Sequence, residues 1–268
     1  TPNSPRAPRA SIDVVVNNGS GTSITMAKGT TFVSNVNGTS YQYLTNEDIT
    51  TTPVDGVYTF SNVALYEGTL VKFKYTVDET DVDQKFVIPS ANADTSTLKV
   101  IVQNSASDTT SATYSLSSGY SGVSSTTQAY FIQETTDGKF EVYFGDGVIG
   151  KKVTDNNIVV LQYVVTNEEK ANGAIKWKNS GSIATVSDID VVRVQRSSGG
   201  SKPESLQSIK QNAPLDYAAQ GRCVTTSDYE VYVKKLFANT KSVSVWGGET
   251  GSYDTSLGVV DTPEYGKV

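Results

Sequence analysis

The feature that most constrains the fold is a block of residues 199–235, which predicts two short helices joined by a turn. Pro203 suits the first position of the first helix, because a residue there has no use for the N–H that proline lacks. Leu206 and Ile209 follow at helical spacing. Pro214 predicts the end of this helix, since a proline disfavours helical geometry at the residue before it.

The second helix of the block has a clear start signal. Thr225 and Asp228 form the pattern of a capping box, in which the threonine hydroxyl accepts from the Asp228 N–H and the carboxylate accepts from the Thr225 N–H. Tyr229, Val233 and Leu236 then line one apolar face at helical spacing. This end of the chain is therefore not purely β.

The remainder of the chain is rich in β-branched and aromatic runs that predict strands. Their bounds are 12–16, 40–44, 57–60, 70–77, 85–88, 98–102, 130–132, 140–144, 158–165, 191–194, 242–246 and from 265 onward. Asn18-Gly19, Asn37-Gly38 and Asp137-Gly138 predict hairpin turns, because these residues tolerate a positive φ. A Ser/Thr/Gly-rich stretch, residues 105–127, is interpreted either as a flexible loop or as short, partly exposed strands.

These patterns predict an α+β, β-dominated, multidomain chain, mostly antiparallel, with a C-terminal two-helix α/β portion. We expect residues 1–11 to be a linker, residues 12–96 an N-terminal β region and residues 97–196 a central β domain with the FGDG turn. Residues 197–268 would form the α/β domain, truncated at its C-terminus. The Pro/Arg/Ser opening and the strand that begins near Tyr265 indicate a fragment of a longer protein.

Four short motifs stand in a fixed order along the chain. They are FGDGVIGK at 144–151, KANG at 170–173, GG-x-x-x-E-S followed by an A-P pair at 199–214, and G-R-x-V-T-x-x-D-Y-E at 221–230. In this order they resemble the signature of the baseplate J-like family of contractile phage tails, and the likeness runs from about Asp55 to Val268. The residues that carry it are Gly145, Asp146, Gly147, Gly150, Gly199, Gly200, Glu204, Pro214, Gly221, Arg222, Thr225, Asp228 and Tyr229.

The resemblance implies a structural subunit of a baseplate wedge that joins neighbouring subunits into the ring around the central hub. It implies that this ring stays connected while the baseplate changes shape and triggers sheath contraction. The implied partners are further copies of the chain, as a homodimer within the ring, other wedge proteins and the sheath-initiating protein. The implied location is the virion tail baseplate after assembly in the host cytoplasm, with no enzyme activity and no cofactor.

The composition excludes several kinds of chemistry. The 268 residues contain no histidine and a single cysteine, Cys223. Without histidine, Ser-His-Asp and Cys-His catalysis are excluded within the chain, and a single thiol excludes internal disulfides and multi-thiolate metal sites. The sequence contains no apolar run of about 18 residues, so we expect no membrane partner.

The charge is unevenly distributed. Residues 1–138 carry 13 acidic and 7 basic side chains, whereas residues 139–268 carry 15 of each. Neither half has the basic surplus of a nucleic-acid-binding protein. We therefore expect no nucleic-acid partner, and we expect self-association through the neutral half.

The segment GDGVIGK, residues 145–151, nearly matches a phosphate-binding loop. Lys152 replaces the hydroxyl that would hold magnesium, and a polar turn follows instead of a helix. Asp146 would also repel a phosphate. The better interpretation is a glycine-rich turn after a strand, with a positive φ at several positions.

Other side chains allow a functional or a structural interpretation. Asp78, Asp81 and Asp83 favour a solvated loop over a calcium site, because the EF-hand spacing is missing. Cys223 is expected to be a small packed side chain rather than a reactive thiol. Arg222 is expected either to clamp the A-P turn or to contact a partner, and Trp246 to lie half-buried in a strand.

Two functions of other classes stay open. A carbohydrate-binding β-sandwich or tail-fibre-like adhesin would use the Ser/Thr/Gly-rich strands and the 15 tyrosines for sugar stacking. The two-helix block argues against it, since a sugar-binding sandwich does not need that block. A hydrolase with two carboxylates would show a pocket of converging Asp and Glu side chains.

Overall fold

The computed structural model describes residues 3–119, 121–219, 221–237, 240, 242–247, 253–254 and 259–260. The chain divides into two compact units, residues 1–203 and residues 204–268. Strands dominate the described residues, and two helices lie near the C-terminal end. The β-dominated α+β fold class predicted from the sequence is confirmed.

The elements follow the chain in a simple order. The strands are β1 Arg9–Val16, β2 Ile24–Met26, β3 Thr31–Val36, β4 Thr39–Thr45, β5 Ile49–Thr51, β6 Pro53–Val54, β7 Val57–Glu67, β8 Thr69–Thr76, β9 Phe86–Ile88, β10 Ala93–Gln103, β11 Ser111–Leu116, β12 Ala129–Glu134, β13 Phe140–Phe144, β14 Ile158–Val165, β15 Lys178–Asn179, β16 Ile189–Ser198, β17 Tyr253–Asp254 and β18 Val259–Val260. A 3₁₀ turn spans Glu168–Ala171, and the helices are α1 Leu206–Ala219 and α2 Thr226–Leu236.

The first sheet has the order β15-β3-β4-β7-β1-β16, with β6 paired to β7. Ile12, Val14 and Val16 alternate on one face of β1 and are fully buried. The chain between β14 and β16 covers this face, and the Trp177 ring meets the Tyr43 ring edge to face, with 5.6 Å between centroids. The core of this sheet thus joins residues from both ends of the first unit.

The second sheet has the order β8-β14-β10-β11-β12-β13-β9. Its ladders are antiparallel except for the β11–β12 pair. Tyr75 on one edge strand donates to the carbonyl oxygen of Val87 on the other edge strand, at 2.7 Å. The sheet therefore curls around its own core, which includes the buried side chains of Val100, Phe140 and Leu161.

Two of the three predicted hairpin turns are confirmed. Asn37-Gly38 joins β3 to β4 with φ of 49° and 82°, and Asp137-Gly138 lies at the tip between β12 and β13. The hairpin predicted at Asn18-Gly19 is wrong, because β1 pairs with β7 and β16 instead of the next strand. Gly19 permits a close approach, since a Cβ there would lie 2.6 Å from Cε2 of Tyr58.

The predicted domain boundaries do not follow the sheets. β10 runs across the boundary expected between residues 96 and 97, and the first sheet takes β15 and β16 from the later part of the chain. The linker expected at residues 1–11 is also wrong, because Ser4 and Ala7 are buried and β1 begins at Arg9. The partners of these segments lie far away in sequence, where composition gives no signal.

The start and end predicted for the first helix are both wrong. The helix α1 begins at Leu206 rather than at Pro203, and the Ser205 hydroxyl before it accepts from the Ser208 N–H at 3.2 Å. The helix also continues through Pro214 as far as Ala219. A proline inside a helix removes one backbone hydrogen bond, but its φ is compatible with helical geometry, so it does not always end the helix.

The region after the helices also departs from the sequence analysis. Residues 242–246 form no strand, and Trp246 is 69% exposed. Cys223 is exposed rather than packed. The strand predicted from Tyr265 onward lies outside the described residues.

Candidate functional site

The motif at residues 144–151 forms a tight turn after β13. Gly147 and Gly150 have φ of 91° and 87°, which confirms the positive φ expected at several glycines. Gly145 is required for a different reason, since a Cβ there would lie 2.2 Å from the carbonyl oxygen of Ile149. The turn therefore favours glycine at all three positions, because of the positive φ at Gly147 and Gly150 and because of the lack of space at Gly145.

The Asp146 carboxylate stabilises the turn itself by accepting hydrogen bonds from its backbone. It accepts from the N–H groups of Val148 at 2.8 Å and Ile149 at 2.9 Å. These bonds, that of Ile149 first, lower the pKa of the Asp146 carboxyl. An irregular segment and then β14 follow the turn, so the helix that a phosphate-binding loop requires does not form there.

A second turn holds the glycine-rich turn in place. The Gly150 N–H donates to the carbonyl oxygen of Ser124 at 3.1 Å, and the Lys151 N–H donates to that of Thr127 at 2.8 Å. The Ser124 N–H in turn donates to the Thr127 hydroxyl at 2.9 Å. The Ser/Thr-rich stretch is thus ordered at this point and supports the motif.

The KANG motif and the GG motif meet at a junction beside the first sheet. The Asn172 side-chain amide donates to the Gly200 carbonyl oxygen at 2.8 Å, and the Gly200 N–H donates back to Asn172 Oδ1 at 2.9 Å. The Gly173 N–H donates to the Ser197 carbonyl oxygen at 2.8 Å. Two motifs that are separate in the sequence therefore form one structural unit, which we call the motif junction.

Buried hydroxyl groups extend the motif junction into the core. The Ser197 hydroxyl donates to the Ala171 carbonyl oxygen and accepts from the Ala174 N–H, both at 2.8 Å. The Tyr43 hydroxyl donates to the same Ala171 oxygen at 2.5 Å and lies 3.1 Å from the Ser197 hydroxyl. Burial raises the pKa of Tyr43 to about 12, so this phenol stays protonated and keeps donating.

The N-terminal segment packs directly against the motif junction. A Cβ on Gly200 would lie 2.4 Å from Cγ of Pro8 and 2.6 Å from the carbonyl oxygen of Glu168. Arg6 and Ser201 exchange two backbone hydrogen bonds, at 2.8 and 3.1 Å. The second glycine of the GG motif is thus needed because three backbone segments converge there.

A buried aspartate ties the N-terminal segment to the second sheet. Asp94 has no exposed surface, and its carboxylate accepts from the Ala7 N–H at 3.0 Å and from the Ser96 N–H at 2.9 Å. The Ser96 hydroxyl donates to it at 2.6 Å, and Arg6 Nη1 lies 3.4 Å away. Its charge is therefore stabilised by several donors, as a buried charge requires.

A buried glutamate, Glu67 at the end of β7, ties the first sheet to the segment that follows β14. Glu67 accepts from the Thr166 hydroxyl at 2.7 Å and from the Asn167 N–H and side-chain amide at 3.0 and 2.6 Å. Its own N–H donates to the Pro8 carbonyl oxygen at 2.9 Å. The sequence analysis missed both carboxylates, because their partners lie far along the chain and no local pattern marks them.

The capping box predicted for the second helix is confirmed. The Asp228 N–H donates to the Thr225 hydroxyl at 3.2 Å, and the Asp228 carboxylate accepts from the N–H groups of Thr225 at 2.9 Å and Val224 at 3.1 Å. These backbone bonds lower the pKa of the Asp228 carboxyl, and the nearby charge of Arg222 contributes.

The remaining motif residues of the second unit stay near the helix termini. Gly221 has a φ of 73°, and the Tyr229 N–H donates to the Thr225 carbonyl oxygen at 3.2 Å. Glu204 accepts from the Ser208 hydroxyl at 2.5 Å. Arg222 has no A-P turn to clamp, because α1 continues through that pair.

The acidic loop between β8 and β9 borders a cavity of about 410 Å³. Its carboxylates are engaged in local contacts: Asp78 accepts from the Thr80 hydroxyl and N–H, and Glu79 pairs with Lys152 at 2.9 Å. The Thr80 hydrogen bonds lower the pKa of the Asp78 carboxyl, whereas a general acid needs a raised pKa. The loop therefore fits a solvated turn better than a pair of catalytic carboxylates.

Two further features bear on the class of site. Among the described residues, no group of three or more Asp, Glu or Cys side chains is arranged to hold a metal ion. No helix in the described part of the chain is both long and apolar enough to cross a bilayer.

Comparisons with known proteins find baseplate wedge proteins, as the resemblance of the motifs implies. Residues 70–178 match the family described as bacteriophage baseplate wedge protein gp6, third domain. The baseplate wedge protein gp6 of Enterobacteria phage T4 is 26% identical over 244 residues, which are 81% of this chain and 35% of that protein. The chain thus spans about a third of the length of this curated relative.

A solved structure, the six-fold-symmetrised cryo-EM structure of the anti-feeding prophage (AFP) baseplate, overlaps 88% of this chain and 44% of its own chain. At 12% identity and a TM-score of 0.28, this overlap carries no argument. The J-like family as such is tested by none of these comparisons and stays a prediction. The resemblance of this chain to bacteriophage baseplate wedge proteins is confirmed, and it is carried by residues 70–178, which are similar to the gp6 third domain.

Proposed function

We propose that this chain is a structural subunit of a contractile-tail baseplate wedge, located in the virion tail baseplate. The observation that carries the proposal is the match of residues 70–178 to a domain of the baseplate wedge protein. The motif junction and the glycine-rich turn support it, because the hydrogen bonds of both are made within the chain and hold its segments together. Assembly would take place in the host cytoplasm.

The subunit would link its neighbours into the ring around the hub and keep the ring connected while the baseplate changes shape. Such a role needs a unit that does not come apart under load. The buried carboxylates Asp94 and Glu67 supply this property, since each joins the N-terminal segment or the first sheet to chain that follows much later. The first unit would therefore move as one body when the sheath contracts.

The partners would be further copies of the chain, other wedge proteins and the sheath-initiating protein. A homodimer is the commonest symmetric contact between copies. We place it in residues 139–268, whose charges balance, because the acidic first half would repel its own copy. A lasting contact of this kind should bury at least about 1,200 Å² in total.

Under the same proposal, we expect the chain to have no catalytic activity and to need no cofactor. The relative is a structural baseplate protein, and the chain has no histidine for general base catalysis. Screens against nucleoside triphosphates, esters and glycans should therefore give no turnover. Turnover that disappears on mutation of one Asp or Glu would contradict this part of the proposal.

The experiment is a measurement of solution mass. Sedimentation of the purified chain at micromolar concentration should show a dimer that survives high salt, and the full-length protein should form a larger complex with the wedge proteins encoded beside it. A chain that stays monomeric, together with a full-length protein that joins none of those proteins, would contradict the assembly role.

A further inference from the structure

A row of polar side chains crosses the outer face of the second sheet. The register of β8, β14 and β10 puts Lys72 opposite Gln162 and Gln162 opposite Lys99. Directly opposed residues of adjacent strands point to the same face, so the two lysines flank Gln162 with about 10 Å between their Cα atoms. Lys74 lies two residues along β8 and shares this face.

A fourth lysine approaches from the turn between β2 and β3. Gly29 in this turn lies next to Leu70, so close that a Cβ on the glycine would be 3.3 Å from Cδ2 of that leucine. Leu70 shares a face with Lys72, two residues along β8, and Lys28 directly precedes the glycine. We call the group of Lys28, Lys72, Lys74 and Lys99 the lysine patch.

The charges of the lysine patch are close enough to interact. The pKa of the Lys28 ammonium is lowered, first by burial and then by the positive charges of Lys99 and Lys72. Asp48 and Glu47 act in the opposite direction, and the Lys28 N–H donates to Asp48 at 2.6 Å. These two acids follow β4 in the sequence, and Lys28 therefore interacts with both the acidic pair and the two lysines.

Positive charge is concentrated at this place. None of the four lysines forms an ion pair with a described residue. Residues 1–138 hold only 7 basic side chains against 13 acidic ones, and four of those seven make up the lysine patch. Asp48 and Glu47 act on Lys28 alone in this group, and a surface that gathers like charges is less stable than a dispersed one, so a bound anion would stabilise it.

Gln162 lies between Lys72 and Lys99 in this row. The residue is only 5% exposed, and its side-chain amide forms no hydrogen bond with any described residue, but the amide is not a fully buried group and reaches solvent between the lysines. An anionic oxygen seated between Lys72 and Lys99 would accept from this amide and from both ammonium groups.

We propose that the lysine patch and Gln162 dock a carboxylate-rich segment of a neighbouring protein. A long nucleic acid fits less well, because the chain carries a net charge of −6. The lysine patch contains no arginine, and the aromatic side chains of β8, Phe73 and Tyr75, alternate onto the opposite face, where no base bound to the patch could stack on them. This proposal rests on the surface alone and does not depend on the baseplate role.

The test is binding of a fluorescein-labelled oligoglutamate peptide to the 268-residue chain, followed by fluorescence anisotropy. Binding should saturate, weaken with added salt, and become about tenfold weaker in the double variant Lys72→Ala/Lys99→Ala. The control is Lys176→Ala, which removes an exposed lysine outside the patch that also lacks an ion pair, and it should bind as the parent does. Equal binding by all three proteins would overturn the proposal.

A second variant separates docking from folding. Gln162→Leu replaces the amide by an apolar side chain of similar size, so peptide binding should weaken while the melting temperature changes little. A lower melting temperature with unchanged binding would show that Gln162 is structural and would count against the proposal. Tighter binding of oligothymidylate than of oligoglutamate, or displacement of the peptide by low millimolar inorganic phosphate, would overturn it in favour of another anion.

Discussion

Asn172 and Gly200 exchange two hydrogen bonds: the Asn172 side-chain amide donates to the Gly200 carbonyl oxygen and accepts from the Gly200 N–H. This pair joins the KANG motif to the GG motif. An asparagine is suited to the position because its side chain carries a donor and an acceptor side by side. The pairing holds the two motifs together in the folded chain.

Asn172→Ala should lower the free energy of unfolding by about 1–3 kcal/mol, because it leaves the buried Gly200 N–H and carbonyl oxygen without partners. Chemical denaturation followed by tryptophan fluorescence measures the change. Asn35→Ala is the matched control, since that exposed asparagine has no side-chain hydrogen bond among the described residues. An equal effect of the two substitutions would contradict the role of the pair.

Gly200→Ala should destabilise the first unit by about 1–3 kcal/mol or more, because the added methyl group meets Pro8 and the Glu168 carbonyl oxygen. Gly181→Ala is the control, since a Cβ there meets nothing within 4 Å and its φ is not positive. Thermal unfolding of both variants checks the prediction. If Gly200→Ala has the same melting temperature as the parent protein, the three backbone segments do not converge as described.

The sequence alone predicts much of the secondary structure. The runs of β-branched and aromatic residues predicted most of the longer strands, and the segment 158–165 matches β14 at both ends. Short or polar strands such as β2, β5 and β6 were missed, because two or three residues carry no periodicity. Local signals were reliable where the structure is local, as in the Thr225–Asp228 capping box.

The errors have a common physical origin in contacts between distant residues. The exception is Pro214, where the error is local: a proline disfavours helical geometry at the residue before it, yet α1 continues through Pro214. Asp94 and Glu67 were not recognised, since neither carboxylate differs from a surface acid until its donors are known. The N-terminal Pro/Arg/Ser segment is likewise held by residues far along the chain, among them Asp94, Thr95 and Ser201.

Thr225→Ala should destabilise α2 by roughly 1 kcal/mol, and Asp228→Ala by a comparable or smaller amount. The double variant should be no worse than the more damaging single one, because each substitution breaks the same reciprocal unit. Hydrogen exchange of the amides in residues 226–236 measures the effect. Strictly additive losses would show that the two caps act independently.

The contribution of Asp228 should also depend on pH. Its carboxyl pKa is lowered in the folded state, so its stabilisation is complete above the ordinary carboxyl pKa and is lost as the pH falls through the lowered value. Hydrogen-exchange protection of α2 should decrease on acidification in the parent protein, and Asp228→Asn should show a smaller decrease. A pH-independent difference between the two would contradict this assignment.

The most direct test of the proposed role is electron cryomicroscopy of intact contractile tails purified from the natural source of this chain, with protein identification by mass spectrometry. We expect peptides of the chain in purified tails, and density for both sheets of the first unit, repeated around the axis of the baseplate. Tails that assemble without these peptides, or a baseplate ring into which the first unit does not fit, would contradict the account.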